Sequence, residues 1–194
     1  MNVTTQTLRE QHRQRTGAAI HDVTYRLVKE HGIAATSIDD IAKAAGISRR
    51  TFFNYYTAKE TALYGFLIPN LPEESVSAFY ESTDPLLLRC VRLVLSAYTT
   101  SQATSSTLER RRELIRTYPE THVKLEGYMN ELEQLVEPIV LQLEGVSEVS
   151  VSLILHTAGA IIRYCTRANL PLDETTLSHV IETLHEITRK DLRE

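Results

Sequence analysis

The sequence predicts an all-α protein, and three observations carry the prediction. Apolar residues recur at spacings of three and four through most of the 194 residues, whereas strict alternation is scarce. Glycines and prolines fall where such helical runs should stop. Capping residues stand where the runs should begin. With 42% hydrophobic and 24% charged residues, the chain has material for a core and is too apolar to be mainly disordered.

The elements follow in order. From about residue 10 to 31, Ile20, Val23, Leu27 and Val28 mark one helix face, and Gly32 stops it. Ser37 is a fitting N-cap for a short helix carrying Ile38, Ile41, Ala42 and Ala45, with Asp40 favouring its positive end. Gly46 ends that helix, and Ser48 caps the next, expected to run through Phe52 to about Tyr56. Lys59 opens a fourth, with Ala62, Leu63, Phe66 and Leu67 on its apolar face and Pro69 and Pro72 as its terminators. The stretch from Pro69 to Asp84 reads as a boundary, dividing the chain into domains 1–68 and 69–194. Asp84-Pro85 then reads as N-cap and first residue of an apolar helix to about residue 98. The Ser/Thr-rich run 99–107 reads as a loop, and 108–117 as a short charged helix. Pro119 opens a long helix striped by Leu125, Met129, Leu132, Leu135, Val136 and Ile139, with Pro138 a point of kink or break. Residues 147–168 are apolar almost all round, which implies burial on several sides. The last helix, 174–190, carries Leu177, Val180, Ile181, Leu184 and Ile187 on one stripe. That makes nine helices.

Charge is uneven. Residues 1–60 hold nine basic and six acidic side chains, a net of +3, and the remainder is net −7. A basic front on an acidic body points to an anionic partner at the front. Cys90 and Cys165 are too few and too distant for a disulfide framework and read as buried free thiols of a cytoplasmic protein. The N-terminus has no apolar stretch of signal-peptide length. No run of about 20 apolar residues suggests a membrane span, so no membrane partner is expected.

The residues that carry the function lie at 38–56. Ala42, Gly46 and Phe52 supply what a tight crossing of two helices needs: a small residue at the contact, a turn able to go left-handed, and a bulky side chain to fill the crossing. That is the helix-turn-helix arrangement, whose second helix enters the DNA major groove. Arg49, Arg50 and Thr51 open the second helix, and Asn54 lies one turn beyond Arg50 on the same face. Arginine can bond guanine O6 and N7, and asparagine adenine N6 and N7. Phe53 and Tyr55 flank that face. Ser37, Ser48 and Lys59 stand where phosphates could be met. Asp39 and Asp40 face outward and are placed beside the backbone contacts.

Residues 18–68 resemble the TetR/AcrR family of bacterial transcriptional regulators, chiefly through HGIAATSIDDIAKAAGISRRTFFNYYTAKETAL at 31–63. The resemblance implies three N-terminal helices for DNA and six for dimerisation and effector binding. It implies a homodimer on a palindromic double-stranded operator, most often a repressor released by a small molecule. It places DNA contacts on Arg49, Arg50, Thr51, Phe53, Asn54 and Tyr55, a phosphate contact on Lys59, and core roles on Phe52 and Tyr56. The family often has His where Tyr55 stands, and an aromatic or Arg where Asn54 stands, so base preference does not carry over. It also places the last two helices in a four-helix dimer bundle. An effector pocket is expected within 85–168, mostly apolar, with Tyr98, Arg116, His156 and Arg163 as its polar candidates.

Other classes find less support. The sequence contains no GxGxxG, GxSxG, P-loop or HExxH. The Glu182/His185 pair lacks the second such pair that a di-iron bundle needs, and His122/Glu126 lacks any partner motif. Neither metal nor cofactor is expected. An activator role, or a helix-turn-helix retained only for binding a protein partner, is the alternative. The run ERRRE at 109–113 reads as a solvated face.

Overall fold

The computed structural model describes residues 8–190, which hold ten α-helices, one 3-10 turn and no strand. They are α1 (Leu8–His31), α2 (Ile38–Ala44), α3 (Arg49–Phe53), α4 (Lys59–Tyr64), α5 (Glu73–Glu81), α6 (Leu86–Thr100), α7 (Leu108–Thr117), α8 (His122–Val140), α9 (Glu148–Arg167) and α10 (Glu174–Lys190). The all-α class is as expected; the count of nine is not, because α5 occupies the stretch read as a boundary. Pro72 caps α5 and Glu73 and Glu74 open it, a start favoured by acidic side chains at the positive helix end. Asp84 does not cap α6; its carboxylate instead accepts from Ser82 and Arg92.

The chain packs as two units. The first combines residues up to Pro69 with Ser101–Tyr128, and the second combines Asn70–Thr100 with Met129 onward. Each unit thus draws on two separate stretches of the chain.

In the first unit the core is Ile20, Ile41, Phe52, Tyr56, Ala62 and Leu67, ringed by Val23, Leu27, Ile38, Ala45, Ile47 and Tyr55. Tyr56 is buried, and its hydroxyl donates to the Gly17 carbonyl at 2.8 Å, which satisfies the one polar atom it takes inside. Gly17 is needed there, since a Cβ would lie 2.4 Å from a Leu67 methyl. α4 ends at Tyr64, earlier than the prolines suggested, because Gly65 caps it in the left-handed region at φ 72°. The reversal brings Phe66 opposite Gln102 in an isolated antiparallel bridge. Leu67 N–H donates to the Ser101 carbonyl, and Ala103 N–H to that of Gly65, both at 2.8 Å.

The 109–113 run is solvated only in part, with Glu109 and Glu113 exposed and its arginines turned toward the chain. Arg111 is buried, lies 4.7 Å from the centroid of the Phe66 ring and donates to Ser106 and Gln102. Arg110 stacks at 4.3 Å on Tyr25 and pairs with Asp22. Its guanidinium also lies 3.4 Å from Nε2 of the fully buried His21, whose Nδ1 is 2.8 Å from the Ala62 carbonyl. A carbonyl on one side and a guanidinium on the other fix the neutral ring protonated at Nδ1.

In the second unit α6 packs against α5, α9 and α10. α9 buries Val151, Leu155, Ala158, Ile161, Ile162 and Cys165. By length and composition alone α9 is long and apolar enough to cross a bilayer, whereas the sequence reading of this chain expected no such run. α8 ends at Val140, two residues past Pro138. The side chains of His122 and Leu125 lie outside the described set. Cys90 and Cys165 are buried free thiols, and burial pushes the Cys90 thiol up to about 12.

His21 gives a pH signature. Burial, its largest cause, lowers the ring's pKa below the ordinary 6.5. The unfolded chain then binds more protons than the folded one below about pH 6.5. Stability is therefore level above neutrality and falls below pH 6.5, by up to about 1.4 kcal/mol per pH unit from this group. Urea unfolding between pH 5 and 8 checks this, and His21→Gln should flatten the slope across that window.

Candidate nucleic-acid interface

α2 and α3 meet through a turn whose glycine, Gly46, sits at φ 67°, a conformation glycine adopts without a Cβ penalty. Ile47 N–H closes the end of α2 by donating to the Ala42 carbonyl at 3.0 Å. Ala42 and Phe52 are buried at the crossing, as the spacing anticipated. Ser37 caps α2 in a capping box: it accepts from the Asp40 backbone N–H, and Asp40 accepts from Ser37 in return. Hydrogen bonds from the Ser37 side chain and backbone hold the Asp40 carboxyl below the usual carboxylate range. The Ser37 hydroxyl proton is given to Asp40, so this serine is occupied by its cap and not poised for a phosphate. Ser48 caps α3 by accepting from Thr51 N–H at 2.9 Å, and the two hydroxyls share a hydrogen bond at 2.8 Å.

α3 is five residues long, shorter than expected, with Asn54 as its C-cap at φ −77°. That backbone is still right-handed helical, so Arg50 and Asn54 keep one face. Both are exposed, and Arg50 makes no hydrogen bond or ion pair among the described residues. Phe53 is exposed beside them, while Tyr55 is half-buried against the core. Arg49 is tied down: its Nη1 lies 3.0 Å from both Asp39 carboxylate oxygens, and its guanidinium sits 5.5 Å from the Phe53 ring centroid.

Lys59 departs most from expectation. Its ammonium donates to the Ile33 carbonyl at 2.6 Å and the Thr36 carbonyl at 3.0 Å, clamping the loop between α1 and α2. Two of its three protons are engaged inside the unit instead of offered to a phosphate. Sequence reasoning missed Asp39 as the partner of Arg49, because a contact ten residues apart across a turn leaves no periodic trace.

The other expected site residues scatter. Leu177 and Ile181 on α10 are buried within the chain. Val180 and Leu184 are half-buried and Ile187 is exposed. On α9, Val149, Leu153 and Tyr164 are exposed large side chains that the sequence reading did not single out. Of the four pocket candidates, Arg116 is exposed on α7 in the first unit, and Tyr98 is buried on α6 in the second. Only His156 and Arg163 come together, at Glu133 on α8. A cavity of about 290 Å³ opens beside Glu133 and is lined mainly by polar side chains, with Leu155 the apolar exception among the described residues. No cluster of three or more His, Cys, Asp or Glu suited to a metal occurs among the described residues.

Removing the Lys59 clamp should cost about 2 kcal/mol of stability, the scale of charged hydrogen bonds lost to part-buried carbonyls. Urea unfolding of Lys59→Ala against the parent chain measures it; equal midpoints would contradict the clamp.

Comparison with known proteins agrees with this geometry. Residues 20–62 match the family model of bacterial regulatory proteins of the tetR family. The mycofactocin biosynthesis transcriptional regulator MftR of Mycobacterium tuberculosis is 47% identical over 53 residues, covering 27% of each chain. The HTH-type transcriptional regulator EthR of Mycolicibacterium smegmatis is 44% identical over 52 residues, covering 27% of this chain and 24% of that protein. EthR of Mycobacterium tuberculosis is 43% identical over 49 residues, covering 25% and 23%. The alignments thus span about a quarter of these relatives. Within residues 20–62, the chain is thus similar to the helix-turn-helix segment of the tetR family of bacterial regulatory proteins.

Proposed function

We propose that this chain is a sequence-specific DNA-binding transcriptional regulator, acting in the cytoplasm as a homodimer on a palindromic operator, with a small-molecule effector that releases it. The observation that carries the reading is the face of α3 that displays Arg50 and Asn54, exposed, one turn apart, at the end of a helix-turn-helix. Arg50 suits guanine and Asn54 suits adenine in the major groove. Asp39 restrains Arg49, so Arg50 is the first base reader of the pair.

The same head can meet only one half-site. Two heads spanning half-sites about 34–36 Å apart require a dimer. The exposed apolar residues Val149, Leu153 and Tyr164 on α9 and Ile187 on α10 support that reading, because such side chains gain most from a second copy. An effector shifts the equilibrium only if it favours one spacing of the heads over the other.

Selection from random duplexes should yield a palindromic site with steep salt dependence. On that site, Arg50→Ala should lose about 1–3 kcal/mol and relax specificity at one base pair per half-site. Asp39→Ala, by removing a carboxylate from the face, should strengthen binding to unselected DNA. Failure to enrich any duplex would overturn the reading. Light scattering tests the dimer separately: Leu153→Glu with Ile187→Glu should give monomers, and a persistent dimer would remove those faces from the interface.

A further inference from the structure

In the groove between α8 and α9 one buried carboxylate oxygen finds no donor. The Glu133 side chain is only 8% exposed, and its Oε1 has no hydrogen-bond partner. The Arg163 guanidinium stands off at 3.9 Å, beyond hydrogen-bond reach. Gly159 makes room for this carboxylate, since a Cβ there would lie 2.5 Å from Oε1. The other oxygen, Oε2, faces Nε2 of His156 at 3.6 Å. The ring's orientation is set by its other nitrogen, which lies 2.8 Å from the Ser152 carbonyl and so carries the proton. In the neutral ring, Nε2 then turns a lone pair toward a carboxylate oxygen. Two acceptors face each other without a shared proton, and a single ammonium set off the line between them can reach both at hydrogen-bond distance.

The cavity of about 290 Å³ beside this pair continues the pattern. Glu137 lines it one helical turn from Glu133, about 6 Å along the α8 axis. Leu155 supplies an apolar patch between polar walls. A metal ion is poorly served, because no three ligating side chains converge among the described residues. An anion would meet two carboxylates. An ammonium offers three donors and a charge of the right sign.

We propose that this cavity binds a short aliphatic diamine, one ammonium between Glu133 and His156, the other at Glu137, and the methylenes against Leu155. This deepens the proposed function by giving its effector a chemical class, and it rests on that function only for the regulatory consequence. Binding itself is measured without DNA.

The test is calorimetric titration of the full chain with 1,4-diaminobutane, using 1,4-butanediol as a neutral isostere. One saturable site per chain is expected for the diamine and none for the diol. Glu133→Gln should weaken the diamine about tenfold or more, as expected for loss of a charged hydrogen bond. Because Glu133 is buried, the half-buried Glu137→Gln serves as a second variant and should weaken it several-fold with an unchanged thermal melt. No heat with the parent chain, equal binding of the diol, or full affinity in both variants would overturn the proposal. A chain that binds the diamine but no duplex would remove the regulatory function and leave the site. A chain that binds its duplex and not the diamine would remove the site alone.

Discussion

The first unit depends on one left-handed residue. Gly65 ends α4 at φ 72° and turns the chain so that Phe66 and Leu67 leave helical geometry while remaining buried. A side chain at this position would be strained by the backbone and would also meet Ser106 Cβ at 2.6 Å. From that turn follow the bridge from Phe66 to Gln102, the stacking of Phe66 on Tyr128 at 4.6 Å between centroids, and the seat of Arg111 over the Phe66 ring. Residues 101–128 are thereby tied to the helices that carry α3.

The charged side chains near α3 divide their work according to what they touch. Arg49, Lys59 and the Ser37–Asp40 pair are engaged in holding the loops and helix starts around the turn. Arg50 and Asn54 project, exposed, from a scaffold so braced, which is the presentation the proposed DNA contact would use. A rigid presentation lowers the ordering cost of recognition.

Helix class, the helix-turn-helix and its caps were legible because each is local. Ser37, Gly46 and Ser48 act within four residues of their own positions, and the apolar spacing of Ile38, Ile41 and Ala42 is a periodic signal. The illegible parts are non-local or ambiguous. The engagement of Lys59 with carbonyls 23 and 26 residues away has no pattern in sequence. Gly65 lay inside an apolar run that continued past it, so the prolines drew attention from the true stop. The stripe on α10 was read as one surface, yet Leu177 and Ile181 face the chain's own interior while Ile187 does not. Periodicity gives a face but not what covers it. Glu133 carried no signal at all, because a carboxylate in a long helix is ordinarily solvated.

The interleaving of the first unit has a consequence for biosynthesis. Tyr64 and Phe66 are fully or almost fully covered, and partners named for them, Thr121 and Tyr128, lie more than fifty residues downstream. A nascent chain that had emerged only to residue 69 would hold every residue of the helix-turn-helix and still leave this aromatic floor uncovered. Such contacts form late and carry the loop-closure cost of distant pairing. The aromatic floor under α4 is therefore completed only with the arrival of the residues that follow α7 and of the start of α8.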